Sequence, residues 1–154
     1  MAPSSSHLKD KALILTGTKL NTTTGKFHIA TGRVSLEKPE GVDAISGDVL
    51  VGGQGFNDCL FWGHSNQIKD SATITVLNAG NNGAAYLHLN GCNESVAALV
   101  MNPNTSIKTD NPEGQSGTLT VKSLTVNSIK KSAGTYTAAT EKWIEGKGKI
   151  VVMP

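Results

Sequence analysis

The sequence predicts an all-β protein built as a stack of short strands, and three observations carry that reading. Gly, Asn, Ser and Thr together supply 58 of the 154 residues. Such a composition works against helices and favours short strands joined by turns, since Gly and Asn tolerate positive φ and Thr suits pleated surfaces. Apolar runs are three to five residues long and recur between Gly, Asn, Asp or Pro, with no sustained apolar repeat at helical spacing. Finally, residues 117–152 string together two alternating runs (Leu119-Thr120-Val121 and Leu124-Thr125-Val126), a Gly134-Thr135-Tyr136-Thr137 turn and a last Ile150-Val151-Val152 strand. That segment reads as the closing coil of the stack.

In chain order the expected strands are centred on residues 12–15, 27–29, 34–36, 49–51, 60–62, 74–76, 86–89, 96–99 and 119–121. Turns are signalled by Gly52-Gly53, Asn81-Asn82-Gly83, Asn90-Gly91 and Asn102-Pro103. Taking Val51, Val76, Leu99 and Val121 as equivalent inward positions gives a spacing of roughly two dozen that shortens along the chain. This falls in the range of solenoid repeats, with each coil holding roughly three short strands. A β-sandwich accounts for short strands and frequent turns as well.

The runs 66–76, 87–96 with Leu99, and 119–127, with the Ala133-Gly134-Thr135-Tyr136-Thr137 and Ile144-Glu145-Gly146-Lys147-Gly148 signatures, resemble the β-helical repeat family of bacterial autotransporter passengers and secreted polysaccharide-associated proteins. The resemblance spans residues 49–152. It implies a right-handed parallel β-helix, here a single module over residues 9–154 with about five or six coils. The group is also similar to β-helix carbohydrate-binding modules attached to plant-cell-wall-degrading enzymes and associated with xylan. That likeness implies a secreted bacterial protein and a catalytic glycoside hydrolase domain on the same native chain.

Charge and motifs narrow the function. The net charge is +2, and thirteen of fourteen basic residues are Lys, with Arg33 the only Arg. Nucleic-acid binders concentrate Arg on one face among aromatics, so no nucleic-acid partner is expected. No apolar run approaches the ~18 residues of a membrane span, so no membrane partner is expected either. Residues 1–8 read as a tag or linker remnant, which includes His7. His28, His64 and His88 lack the paired spacing of a zinc motif, and Gly52-Gly53-Gln54-Gly55 lacks the Lys and helix of a phosphate loop. No metal or cofactor is expected. The acids Asp43, Asp48, Asp58, Asp70, Glu94, Asp110 and Glu113 are scattered, and no Gly-x-Ser-x-Gly motif occurs. The two cysteines, Cys59 and Cys92, fit a disulfide or two free thiols equally well.

Binding is the better-marked activity. Trp62-Gly63-His64 and Tyr86-Leu87-His88 repeat an aromatic-x-His pattern, and the step from position 62 to position 86 is close to one coil. With Leu87 and Leu89 inward, Tyr86 and His88 point outward. The repeat then sets Trp62 over Tyr86 and His64 over His88, an aromatic platform with hydrogen-bonding tips suited to a sugar ring. Asn66 and Asn90, separated by the same step, extend its polar edge or form an internal ladder that satisfies turn backbone. Under strict alternation Phe61 takes the core, or takes the platform position if the register slips by one. Trp143 and Tyr136 are expected to cap the stack. The expected function is non-catalytic binding of a plant cell-wall polysaccharide, xylan above all, as the accessory module of a secreted hydrolase. A fragment of an autotransporter or adhesin passenger and a small β-helix polysaccharide lyase or hydrolase are the alternatives.

Overall fold

The computed structural model describes residues 12–54, 57–78 and 83–154. The expected remnant at residues 1–8 and most of the Asn81-Asn82-Gly83 turn lie outside them. The described residues contain strands and turns and no helix. The strands are β1 (Leu13–Leu15), β2 (Phe27–Ile29), β3 (Arg33–Leu36), β4 (Val49–Val51), β5 (Asn57–Trp62), β6 (Thr73–Val76), β7 (Ala84–His88), β8 (Glu94–Met101), β9 (Thr105–Lys108), β10 (Thr118–Val126), β11 (Ile129–Lys131), β12 (Gly134–Thr137), β13 (Ile144–Glu145) and β14 (Lys149–Val152).

These strands form a β-solenoid of about four turns. One sheet runs in the order β1-β3-β5-β7-β9-β13. The other sheet runs β12-β14-β10-β8-β6-β4-β2, with β11 beside β10. Successive coils pair in parallel, so each inward side chain stacks on its counterpart one coil away. Val34, Leu60, Leu87, Ile107 and Ile144 form one such column, and all are buried. In the second sheet the columns are Val49–Ile74–Leu99–Leu124 and Val51–Val76–Met101–Val126. Each fully buried Leu, Ile or Val in these columns contributes roughly 1.5–3 kcal/mol.

Val51, Val76, Leu99 and Val121 all face inward, as expected, but they do not form one column. Leu99 stands on Ile74 and Val121 on Val96. The step along the true column is constant from Val49 through Ile74 and Leu99 to Leu124, and the apparent drift came from mixing neighbouring columns. Later coils do carry three extended stretches. Strands β8 and β10 bend in mid-course, so that residues 94–96 pair with 119–121 while 98–101 pair with 73–76. At the β8 bend the Ala97 and Ala98 amides both donate to the Ala72 carbonyl.

Asparagine holds several of the tight turns. Asn66, Asn90, Asn104 and Asn127 all have φ between 50° and 61°, a region that Asn enters more readily than other residues with a Cβ. The far end of the stack is closed by an excursion: β11 runs antiparallel to β10 and β12 antiparallel to β14. Tyr136 and Trp143 pack against the core there, as the sequence suggests for a cap. Trp143 Nε1 donates to Glu141 Oε2 at 2.8 Å, and Glu141 Oε1 pairs with Lys131 at 3.0 Å. Reversing the strand direction ends the parallel ladder and protects its last edge.

Candidate functional site

Alternation along β5 decides what the first sheet shows to solvent. Asp58, Leu60 and Trp62 share the inward face, and each is 0 % exposed. Cys59 and Phe61 therefore point outward. The expected placement of Trp62 on the surface is corrected by this burial. Its indole Nε1 donates to Glu94 Oε2 at 2.8 Å, and the Gln67 and Ile68 amides donate to the same oxygen. Ser95 N donates to the other oxygen, Oε1. An indole N–H in the interior requires an acceptor, and Glu94 supplies one. Burial pushes the Glu94 carboxyl up, and its hydrogen bonds, that of Trp62 first, pull it part of the way back.

The outward rows of this sheet follow from the register. One row is Arg33–Cys59–Tyr86–Ser106; its neighbour is Ser35–Phe61–His88–Lys108–Glu145. Tyr86 and His88 thus lie on the outer face as the alternation predicts, each half-buried. They do not stack on Trp62 and His64. Tyr86 stands beside Cys59 and His88 beside Phe61, because the coil that carries Cys59 to Tyr86 is longer than the step from 62 to 86. Phe61 occupies the place expected for Trp62. His64 is exposed in the turn after β5, off the sheet.

Asn66 and Asn90 are both at corners, and the Asn90 side chain serves turn backbone, whereas the bond made at Asn66 is main-chain to main-chain. The Asn66 amide donates to the Asn93 carbonyl, and Asn90 Nδ2 donates to the Trp62 carbonyl at 3.2 Å. They do not stack on each other, since the same long coil lies between them. Asn90 nevertheless borders the outer face, beside Gly63 and Phe61.

The side chains of the two outward rows interlock. The Arg33 guanidinium carbon lies 4.0 Å above the centroid of the Phe61 ring. His88 meets Phe61 edge-on, with centroids 5.0 Å apart and planes at 89°. Lys108 Nζ lies 4.7 Å from the centroid of Tyr86. Cation–ring contacts of this kind contribute about 0.5–2 kcal/mol, depending on how dry they are. Two recesses open along the face and meet at Arg33. One, of about 440 Å³, includes Ile14, Ser35, Glu37 and Phe61. The other, of about 530 Å³, includes Cys59, Tyr86, Ser106, Lys108 and Glu145.

Protonation states follow from burial. The Cys59 thiol is pushed up to about 11 by burial, and Tyr86 to about 12 by burial and then by the neighbouring thiol. Cys59 is therefore a protonated thiol at neutral pH and a poor nucleophile. Both cysteines are free. Burial lowers the pKa of His88; its ring nitrogen contacts the Asp110 carbonyl at 3.2 Å, which opposes that shift, while Lys108 adds to it. His88 is neutral at pH 7. The fixed charges facing the recesses are Arg33, Lys108, Glu37 and Glu145. Among the described residues no cluster of three His, Cys, Asp or Glu side chains is placed to hold a metal ion.

Sequence reasoning passed over Arg33, Lys108, Ser106 and Glu145. Composition singled out Arg33, but its partners are reached only through coil steps of unequal length, from Arg33 to Cys59, Cys59 to Tyr86 and Tyr86 to Ser106. The chain matches no protein-family model, and comparison with curated proteins and with solved structures likewise gave no match.

Proposed function

We infer that the protein is a non-catalytic binding module whose outer β3–β5–β7–β9 face holds an extended polysaccharide of the plant cell wall, xylan being the first choice. The observation that carries this reading is the row of half-buried outward groups on consecutive strands. Phe61, Tyr86 and His88 give apolar ring area with polar tips, and Ser106 and Asn90 add hydrogen-bonding groups along the margins. A linear polymer crossing the strands meets a new strand, with its own pair of outward groups, every ~4.8 Å. Nothing in such contact asks for a cofactor. The same repeated face suits a secreted accessory module joined to a catalytic glycoside hydrolase domain. We also take the stack to wind right-handedly, the hand of almost all parallel crossovers, in five or six coils when the incomplete end coils are counted.

Affinity electrophoresis in gels containing xylan, β-glucan or pectin tests the reading. At least one polymer should retard the protein, and Phe61→Ala and Tyr86→Ala should each relieve the retardation. Unchanged mobility in all three gels would remove the polysaccharide reading. Release of reducing or unsaturated ends from soluble xylan or pectin would replace it with the enzymatic one.

A further inference from the structure

Arg33 is the chain's only arginine, and it stands where the two recesses meet. Its guanidinium lies over the Phe61 ring, with Nε buried and without a hydrogen-bond partner. A planar guanidinium stacked by its face presents its remaining N–H groups at the edge, the geometry that receives a carboxylate. Lys108 is held in a similar way over Tyr86, across the second recess.

Two other cations are neutralised or solvated internally, while most of the remaining lysines are exposed to solvent. Lys131 pairs with Glu141, the one ion pair among the described residues. The buried Lys38 donates to the carbonyls of Thr16 and Lys19 at 3.1 and 2.6 Å. Arg33 and Lys108 have aromatic rings in place of such acceptors. Two acids border the recesses without pairing with them: Glu37, which accepts from Ser35 Oγ at 2.5 Å, and Glu145 at the far margin. With His88 neutral, the middle of the face carries two stacked cations whose donors are unspent among the described residues.

We propose that this face selects polysaccharides that carry carboxylates, with one uronate group received by Arg33 above Phe61 and a second by Lys108 above Tyr86. The inference rests on the polysaccharide reading and narrows its ligand class. Arg33 and Lys108 are rooted three strands apart in the sheet, but their charged ends lie over Phe61 on β5 and Tyr86 on β7, diagonal neighbours about 7–8 Å apart, a spacing that suits carboxylates of adjoining sugars in one chain. A free monosaccharide acid carries a single carboxylate and binds more weakly than the polymer, which presents several.

The test uses polygalacturonate, alginate and a glucuronate-bearing xylan, each beside its carboxyl-reduced counterpart, with the full chain in affinity gels and calorimetry. At least one acidic polymer should bind, and reducing its carboxyls should weaken binding about tenfold or more. Arg33→Gln and Lys108→Gln should each weaken binding of the acidic form about tenfold and barely affect the reduced form. Glu145→Gln should not weaken it, and raised salt should. Lys122→Gln, exposed on β10 away from this sheet, controls for net charge, and melting curves control for folding. Equal binding of acidic and reduced polymers overturns the carboxylate inference while leaving the polysaccharide reading intact. So does an equal loss in Lys108→Gln and Lys122→Gln. No binding to any of the six polymers overturns both.

Discussion

Strand β5 carries two adjacent aromatic residues that meet opposite surroundings. Trp62 faces inward, fully buried, and its one polar atom is answered by Glu94, a carboxylate that accepts four hydrogen bonds from the protein itself. Phe61 faces outward under Arg33 and against the edge of His88. Both aromatics are paired with a charged group, but the inner charge is fully used and the outer one is not. The inner face is closed chemically as well as sterically. The outer face is ordered in shape yet keeps donors to offer, which is what separates a binding surface from a core.

Substitutions on the two faces should therefore fail in different measurements. Trp62→Ala should cost about 3–5 kcal/mol in urea unfolding, the range for emptying a large aromatic site in a core. A loss below ~1 kcal/mol would mean that Trp62 is not a core residue. Glu94→Ala should cost about 2–4 kcal/mol, since it strands the Trp62, Gln67 and Ile68 donors, with some relief where water enters. Phe61→Ala should cost only about 1–2 kcal/mol, from lost ring contacts, while removing polysaccharide retardation. If Phe61→Ala destabilises as much as Trp62→Ala, the distinction between the faces collapses.

The smallest expected effect is a difference in pH dependence between two carboxylates. Glu94, inside, has its pKa raised by burial, so its contribution to stability is full at low pH and is lost as pH rises through its folded pKa. Asp110, at an outer corner, behaves oppositely. Burial alone would raise it, but the Lys147 amide, the Thr109 and Ser116 hydroxyls and the Gly148 amide together hold it below the usual range. Its contribution is present above the ordinary carboxylate pKa and is lost as pH falls through its folded value. Melting temperatures between about pH 3 and 7 should show this. The differences of Glu94→Gln and Asp110→Asn from wild type should change with pH in opposite directions, and slopes of the same sign would contradict the contrast.

The sequence made some of this legible and concealed the rest for identifiable reasons. Tyr86 and His88 alternate with Leu87 and Leu89, so only one facing buries the leucines, and alternation alone assigns their side. In Cys59-Leu60-Phe61-Trp62 both alternate sets are apolar, and periodicity cannot choose between them. The choice follows from Glu94, far along the chain on β8, which offers an acceptor to an indole and nothing to a phenyl ring. The aromatic-x-His repeat was real as a pattern and misleading as a register. Parallel pairing sets Cys59, not Trp62, beside Tyr86, so the step from 62 to 86 links residues that never meet.

By itself, then, the chain determined its class. Short apolar runs and abundant Gly, Asn, Ser and Thr make it all-β, and the loose repeat and the closing segment favour a stack of short strands over a sandwich, with Tyr136 and Trp143 at the closed end. Which side chains share a surface was decided only in the tertiary structure. Turn lengths differ from coil to coil, and each extra residue shifts every later partner, so Arg33, Phe61, Tyr86 and Lys108 converge only once parallel pairing has set the register. Alternation is a local property of a strand; convergence across strands is a property of the stack.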